Sequence, residues 1–120
     1  MEVLEPYRLS TLSVVGTNYP RDRDLRHAYL KQLPQITDRF QHLRMLGSGT
    51  LQGVFLAEGR MNAVIEFDVK PSSYLPTREL VRLTDGLSEL IKLPDGSTTL
   101  VAARQAKDFD LLTATIGNLR

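Results

Sequence analysis

Gly47, Ser48, Gly49 and Thr50 lie between a strand-like segment and a helix-like one, and the next strand-like run, NAVIEF, ends beside two acids, Glu66 and Asp68. A glycine-rich turn before a helix presents free backbone N–H groups and the positive end of the helix, an arrangement that holds an anion such as phosphate. In a second reading, Ser48 or Thr50 caps a short helix and the glycines relieve crowding; the loop alone leaves both open. The dinucleotide-binding fingerprint needs G-x-G-x-x-G, whereas Gly47, Gly49 and Gly53 spell G-x-G-x-x-x-G, one residue too long. Glu66 or Asp68, roughly twenty residues on, completes only an imitation of that motif. No Gly-Lys-Ser/Thr occurs, and Leu46 stands where a serine nucleophile elbow needs glycine, so neither a Walker A loop nor that elbow is present.

The remaining chemically capable residues read as surface. His27 stands among arginines and His42 precedes a strand, neither with a histidine or acidic partner at metal-ligand spacing. Asp68 and Lys70 read as exposed charges. The run RDRDLR alternates in sign and reads as a solvated helix start rather than a nucleic-acid patch.

The elements that must position the loop alternate between strand-like and helix-like pattern, which predicts an α/β layer architecture. Leu12, Val14 and Val15 form a first β-rich run closed by Gly16. Asp22 and Asp24 suit a helix N-terminus, and Leu25, Tyr29, Leu33, Ile36 and Phe40 recur at helical spacing, with a kink or break expected at Pro34. Residues 43–46 predict a strand, followed by a short helix whose apolar side is Leu51, Val54 and Phe55 and which Gly59 terminates in a left-handed cap. Residues 63–67 return as a strand. Pro76 suits the first turn of a helix that Gly86 stops. Residues 87–93 and 98–103 form a hairpin around Pro94, Asp95 and Gly96. Phe109, Leu112, Ile116 and Leu119 predict a closing helix opened by Asp108.

The chain has 120 residues, enough for one domain with its own core. A net charge of +1 supplies no broad positive field for nucleic acid or anionic lipid. The absence of cysteine excludes disulfides and thiolate metal sites. Residues 12–15 are too short an apolar run for a signal-peptide core, and none approaches a membrane span, so a cytoplasmic location is expected.

A spaced series of residues gives the loop further context: Arg44, GSGT, then LAEGR at residues 56–60, NAVIEF at 62–67, Lys70 and Pro71, Gly86, and VAA at 101–103. The series resembles the C-terminal half of the inositol monophosphatase family of magnesium-dependent, lithium-sensitive sugar phosphatases. The resemblance implies that Gly47 and Ser48 line the substrate side and that Glu66 contacts substrate. The family's W-D pair falls on Ser72 and Ser73, so its metal-ligating aspartate is a serine here; its A-A-G falls on Leu75, Pro76 and Thr77. The family's D-P-x-D-G-T motif, which carries most of the metal-binding carboxylates, occurs nowhere in these residues.

The expectation is therefore an α/β chain, residues 1–120 forming a single three-layer α/β/α sandwich with a mixed sheet of about five strands. It is expected to be a non-catalytic module that meets a partner protein or forms a homo-oligomer. Alternatives are a phosphate or sugar-phosphate binding module and one half of a split Mg²⁺-dependent phosphatase. The candidate ligand residues are Gly47, Ser48, Gly49, Thr50 and Glu66. No catalytic residue, metal ligand or cofactor is expected, Mg²⁺ entering only if another chain completes the site, and neither nucleic acid nor membrane is an expected partner.

Overall fold

A computed structural model describes residues 13–118, so Leu12 and Leu119 of the expected first strand and last helix lie outside the described residues. The elements follow in the order β1 (Val14–Thr17), α1 (Arg23–Arg39), β2 (His42–Arg44), α2 (Gly49–Ala57), β3 (Ala63–Glu66), α3 (Pro71–Leu83), β4 (Leu87–Lys92), β5 (Thr98–Ala103) and α4 (Ala106–Gly117). The alternation is the expected one. The strands form one five-stranded mixed sheet in the order β2-β1-β3-β5-β4. β1 pairs in parallel with both β2 and β3, while β5 runs antiparallel to β3 and β4.

The sheet is covered on both faces, giving the three-layer sandwich. Because successive strand residues point to opposite faces, Ala63 and Ile65 join Leu25, Tyr29, Ile36, Leu112 and Ile116 in one core beneath α1 and α4. Val64 joins Leu56, Met61, Val81 and Ala102 in a second core beneath α2 and α3. Two asparagines clamp β1 to β3. Asn62 Oδ1 accepts from Val14 N at 2.8 Å at one end. At the other, Asn18 Nδ2 donates to Phe67 O at 2.9 Å and Asn18 Oδ1 accepts from Phe67 N at 2.6 Å, extending the ladder just where the strands end.

Several local expectations change in the structure. β1 passes through Gly16 to Thr17. Helix α1, capped by Asp22 Oδ1 on Leu25 N at 2.7 Å, is not broken at Pro34. The carbonyl that Pro34 leaves without a helical donor belongs to Leu30. β2, expected over residues 43–46, starts one residue earlier and ends two earlier, at His42–Arg44. Pro71, not Pro76, occupies the first position of α3, and Pro76 lies inside that helix. At the end of α3 the left-handed conformation belongs to Asp85, with φ 60°, and not to Gly86. Gly86 is needed for space, since a Cβ there would stand 2.8 Å from Val81 Cγ1 and 2.9 Å from the Ala103 carbonyl oxygen. Gly59 does take the left-handed conformation after α2, with φ 80°.

The largest correction concerns α2. Leu51 and Val54, expected to face inward, are 42% and 37% exposed, and Phe55 is half-buried. The buried positions are Gln52, Gly53 and Leu56. Gly53 sets this rotation: a Cβ there would overlap the Thr77 side chain, so α2 and α3 approach through the glycine. The last glycine of the G-x-G-x-x-x-G series thus serves contact between helices.

Candidate functional site

In an open α/β sheet, the crevice outside the carboxyl ends of the strands, where the chain order reverses, is the natural ligand position. Here the order β2-β1-β3 puts that crevice between β1 and β3. A cavity of about 270 Å³ occupies it, lined by Thr17 and Asn18 at the end of β1, Gly47, Ser48, Gly49 and Gln52 of the loop and α2, Glu66 to Lys70 at and after the end of β3, and Ser72 and Ser73 of α3.

Helices α2 and α3 both point their N-termini at this cavity. Gly47 turns the chain with φ 76°. Ser48 is the N-cap of α2, its Oγ accepting from Leu51 N at 3.2 Å. That leaves the N–H groups of Gly49 and Thr50 without a hydrogen-bond partner among the described residues. α3 begins with Lys70 as an N-cap that makes no side-chain capping bond, and Pro71 follows without an N–H. Ser73 N and Tyr74 N both donate to Lys70 O, leaving Ser72 N–H unpaired among the described residues. Two positive dipole ends therefore converge on one cavity.

Glu66, at the end of β3, forms the floor. A Cβ on Gly49 would overlap the Glu66 carboxyl and stand 2.7 Å from Ser73 Oγ, so the absent side chain lets all three groups meet. Glu66 is 3% exposed. Burial pushes its pKa up from 4.5 to about 7, partly opposed by a hydrogen bond from the Gln52 side chain. Gln52 is itself 1% exposed; its Oε1 is packed towards Gly16, where a Cβ would stand 2.8 Å from it, and has no hydrogen-bond partner among the described residues. At the rim, Lys70 Nζ lies 3.5 Å from Asp68 Oδ1, in a solvated pair.

Of the sequence-derived candidates, Gly47, Ser48, Gly49 and Glu66 line this cavity. Thr50 is exposed on the second position of α2 and does not. Arg44 ends β2, exposed, and donates to the Leu43 carbonyl. Ser72 and Ser73, where the family carries its W-D pair, do line the cavity. Sequence reasoning missed Gln52 and Asn18. A signal for Gln52 was available: it is the one polar residue in the run LQGVFLA.

The arrangement suits an anion whose ligand also carries hydroxyl groups. A protonated Glu66 donates one hydrogen bond and accepts others, and the two helix ends supply donors to the anion. It does not suit Mg²⁺. That ion wants several anionic oxygens in octahedral array, and Ser73 offers a neutral hydroxyl while burial holds Glu66 towards its neutral form. Among the described residues, no three His, Cys, Asp or Glu side chains gather into a metal-holding group.

Comparison with solved structures identifies the fold. Mycobacterium tuberculosis SuhB superposes with a TM-score of 0.73 over 91% of this chain and 42% of its own length, at 19% sequence identity. The fold is that of an inositol monophosphatase-like domain. The inositol monophosphatase of Anabaena (Nostoc) gives a TM-score of 0.71 at 17% identity, over 98% of this chain and 48% of that one. An inositol monophosphate-bound SaIMPase-II gives 0.67 at 15% identity, over 98% of this chain and 46% of that one. The chain thus spans less than half the length of each of these structures. No protein-family model and no characterised protein matches it by sequence. No helix among the described residues is long and apolar enough to cross a membrane.

Proposed function

We propose that this inositol monophosphatase-like domain binds a phosphorylated polyol without hydrolysing it. The phosphoryl group sits at the paired N-termini of α2 and α3, and a ligand hydroxyl meets Glu66 and Gln52. The observation that carries this reading is the convergence of two helix N-termini, with N–H groups unpaired among the described residues, on a cavity floored by the buried carboxyl of Glu66. The inositol monophosphate bound by SaIMPase-II, which shares the fold, supports the ligand class. Hydrolysis of the ester would require carboxylates that the described residues do not gather, and a second polypeptide segment would have to contribute them for the split-phosphatase reading to hold.

Calorimetric titration with inositol 1-phosphate in Mg²⁺-free buffer tests this. Saturable binding is expected, with a rise in melting temperature of several degrees at about one hundred times Kd. No heat and an unchanged melting temperature would refute it. Mg²⁺-dependent release of phosphate by the purified chain would refute the non-catalytic half of the proposal.

A second reading, a protein-interaction or self-association module, draws on the outer side of the α2 and α3 layer. Leu51, Val54, Leu75 and Leu83 are all exposed there, more large apolar surface than a solvated helix pair needs. Size-exclusion chromatography with light scattering measures it directly, and a monomer at high concentration argues against self-association.

A further inference from the structure

Gly16 of β1 pairs with Val64 of β3, and alternation along β3 puts Glu66 on the same face of the sheet as Val64, the face that α2 and α3 cover. Gln52 of α2 lays its amide across this face from one strand to the other. At the β1 end, a Cβ on Gly16 would stand 2.8 Å from Gln52 Oε1 and 3.0 Å from its Cδ, so the amide fills the space that a side chain on the strand would need. At the β3 end, the amide donates a hydrogen bond to the Glu66 carboxyl. The donor is Nε2, and Oε1 is left without a partner among the described residues. A leucine at position 52 would fill a similar volume without burying an unpaired oxygen, so packing gives no reason for an amide here.

An N–H group can meet only a carboxyl oxygen that carries no proton. In the neutral form of Glu66, which burial favours, the proton therefore rides on the oxygen that Gln52 leaves free. We propose that Gln52 is a positioning residue: seated on Gly16, its amide holds one oxygen of the Glu66 carboxyl and presents the other, with its proton, to the ligand. This rests on the reading of the cavity as a binding site, and the part of Gln52 in that contact is exerted through Glu66. Loss of the proton removes a donor and sets a carboxylate beside the bound anion, so affinity falls as pH rises through about 7. The charged groups that line the cavity with Glu66, Asp68 and Lys70, face each other. Helices α2 and α3 bring only neutral side chains to it, β5 sets Leu100 beside Glu66, and Tyr29 of α1, on the other face, donates to Thr17 Oγ1 at 3.1 Å.

Two measurements on the whole chain test this. Carbon NMR without ligand, with Glu66→Gln identifying the signal, follows the titration of the Glu66 carboxyl. Gln52→Leu is expected to raise its midpoint by about half a unit or more, the loss of one hydrogen bond to the charged form; Gln52→Met, closer in length, is the second variant should leucine not fold. Calorimetric titration with inositol 1-phosphate, without Mg²⁺, then compares chains at about pH 6 and about pH 8.5. Glu66→Gln mimics the neutral carboxyl at every pH, so the ligand's own titration cancels in the ratio. The affinity of the parent chain relative to that variant is expected to fall about thirtyfold across the interval, as the protonated fraction does for a pKa of about 7. At about pH 6, where both chains hold the proton, Gln52→Leu should bind about tenfold more weakly than the parent. A midpoint that does not rise in either Gln52 variant, a flat ratio, or a Gln52→Leu affinity equal to the parent's at the lower pH overturns the proposal and leaves the binding site standing. Absence of binding by the parent chain refutes the binding reading itself, and the midpoint alone then decides whether Gln52 holds the carboxyl.

Discussion

Gly49 lies against the carboxyl group of Glu66, so closely that any side chain at position 49 would occupy the space the carboxyl now fills. The contact couples the first turn of α2 to the end of β3, and it brings Ser73 of α3 to the same point. The loop glycine is therefore a spatial requirement of the site, with backbone freedom left to Gly47, which has the positive φ.

Gly49→Ala is expected to separate binding from stability. The clashing atoms are the ends of the Glu66 and Ser73 side chains, which can swing into the adjoining cavity. Alanine also gains helix propensity of up to about 1 kcal/mol. Stability measured by urea unfolding should change by less than about 1 kcal/mol, while affinity for inositol 1-phosphate falls at least about tenfold, the equivalent of one lost charge-assisted contact.

Gly53→Ala should behave in the opposite way. The added methyl meets Thr77 Oγ1, Cβ and Cγ2, a short branched side chain on a packed helix that cannot swing aside. Overpacking of this kind costs about 1–3 kcal/mol, visible as a lower urea midpoint. Thr77→Ala in the same chain removes two of the three clashing atoms and should restore part of the loss.

Glu66 makes stability depend on pH with a defined sign. Its pKa in the folded chain is about 7, against 4.5 as the ordinary value. Its contribution is most favourable below the ordinary value, declines as pH rises towards 7, and is then constant, by about 3 kcal/mol at most. Glu66→Gln should flatten this decline and be more stable than the parent chain at pH 8 in urea titrations. A residual slope of the same sign is expected from Asp108, whose pKa is also raised by burial, with Lys107 and Arg39 opposing.

Arg104 holds the far end of α2. Its Nη1 donates to the carbonyls of Leu56 and Ala57, each at 3.0 Å; the Leu56 carbonyl also accepts from Gly59 N at 3.1 Å, whereas that of Ala57 is an acceptor the helix end leaves open. The group is half-buried, so water replaces part of what is lost. Arg104→Ala should cost about 1–2 kcal/mol and lower amide-exchange protection at the C-terminal turn of α2 more than at its N-terminal turn.

Much of the fold was legible in local chemistry. The order of the nine elements, the hairpin around Asp95 and Gly96, the Asp22 cap and the Gly59 stop each depend on neighbours a few residues away, and those appear in the sequence as they act in the structure. Pro34 and Pro76 misled because each lies inside a helix that continues through it, so the packing of α1 and α3 overrides the local cost of the missing N–H.

The sequence by itself determined that a glycine loop opens a helix and that an acid ends the following strand. It did not determine that Gln52 rather than Leu51 faces inward, that the start of α3 closes over the start of α2, or that Asn18 binds Phe67 across the sheet. Those depend on pairings between distant segments, made when the strand order β2-β1-β3 draws three carboxyl ends together. Periodicity reports how one element distributes its own polarity; which side another element will cover is settled only when the two pack.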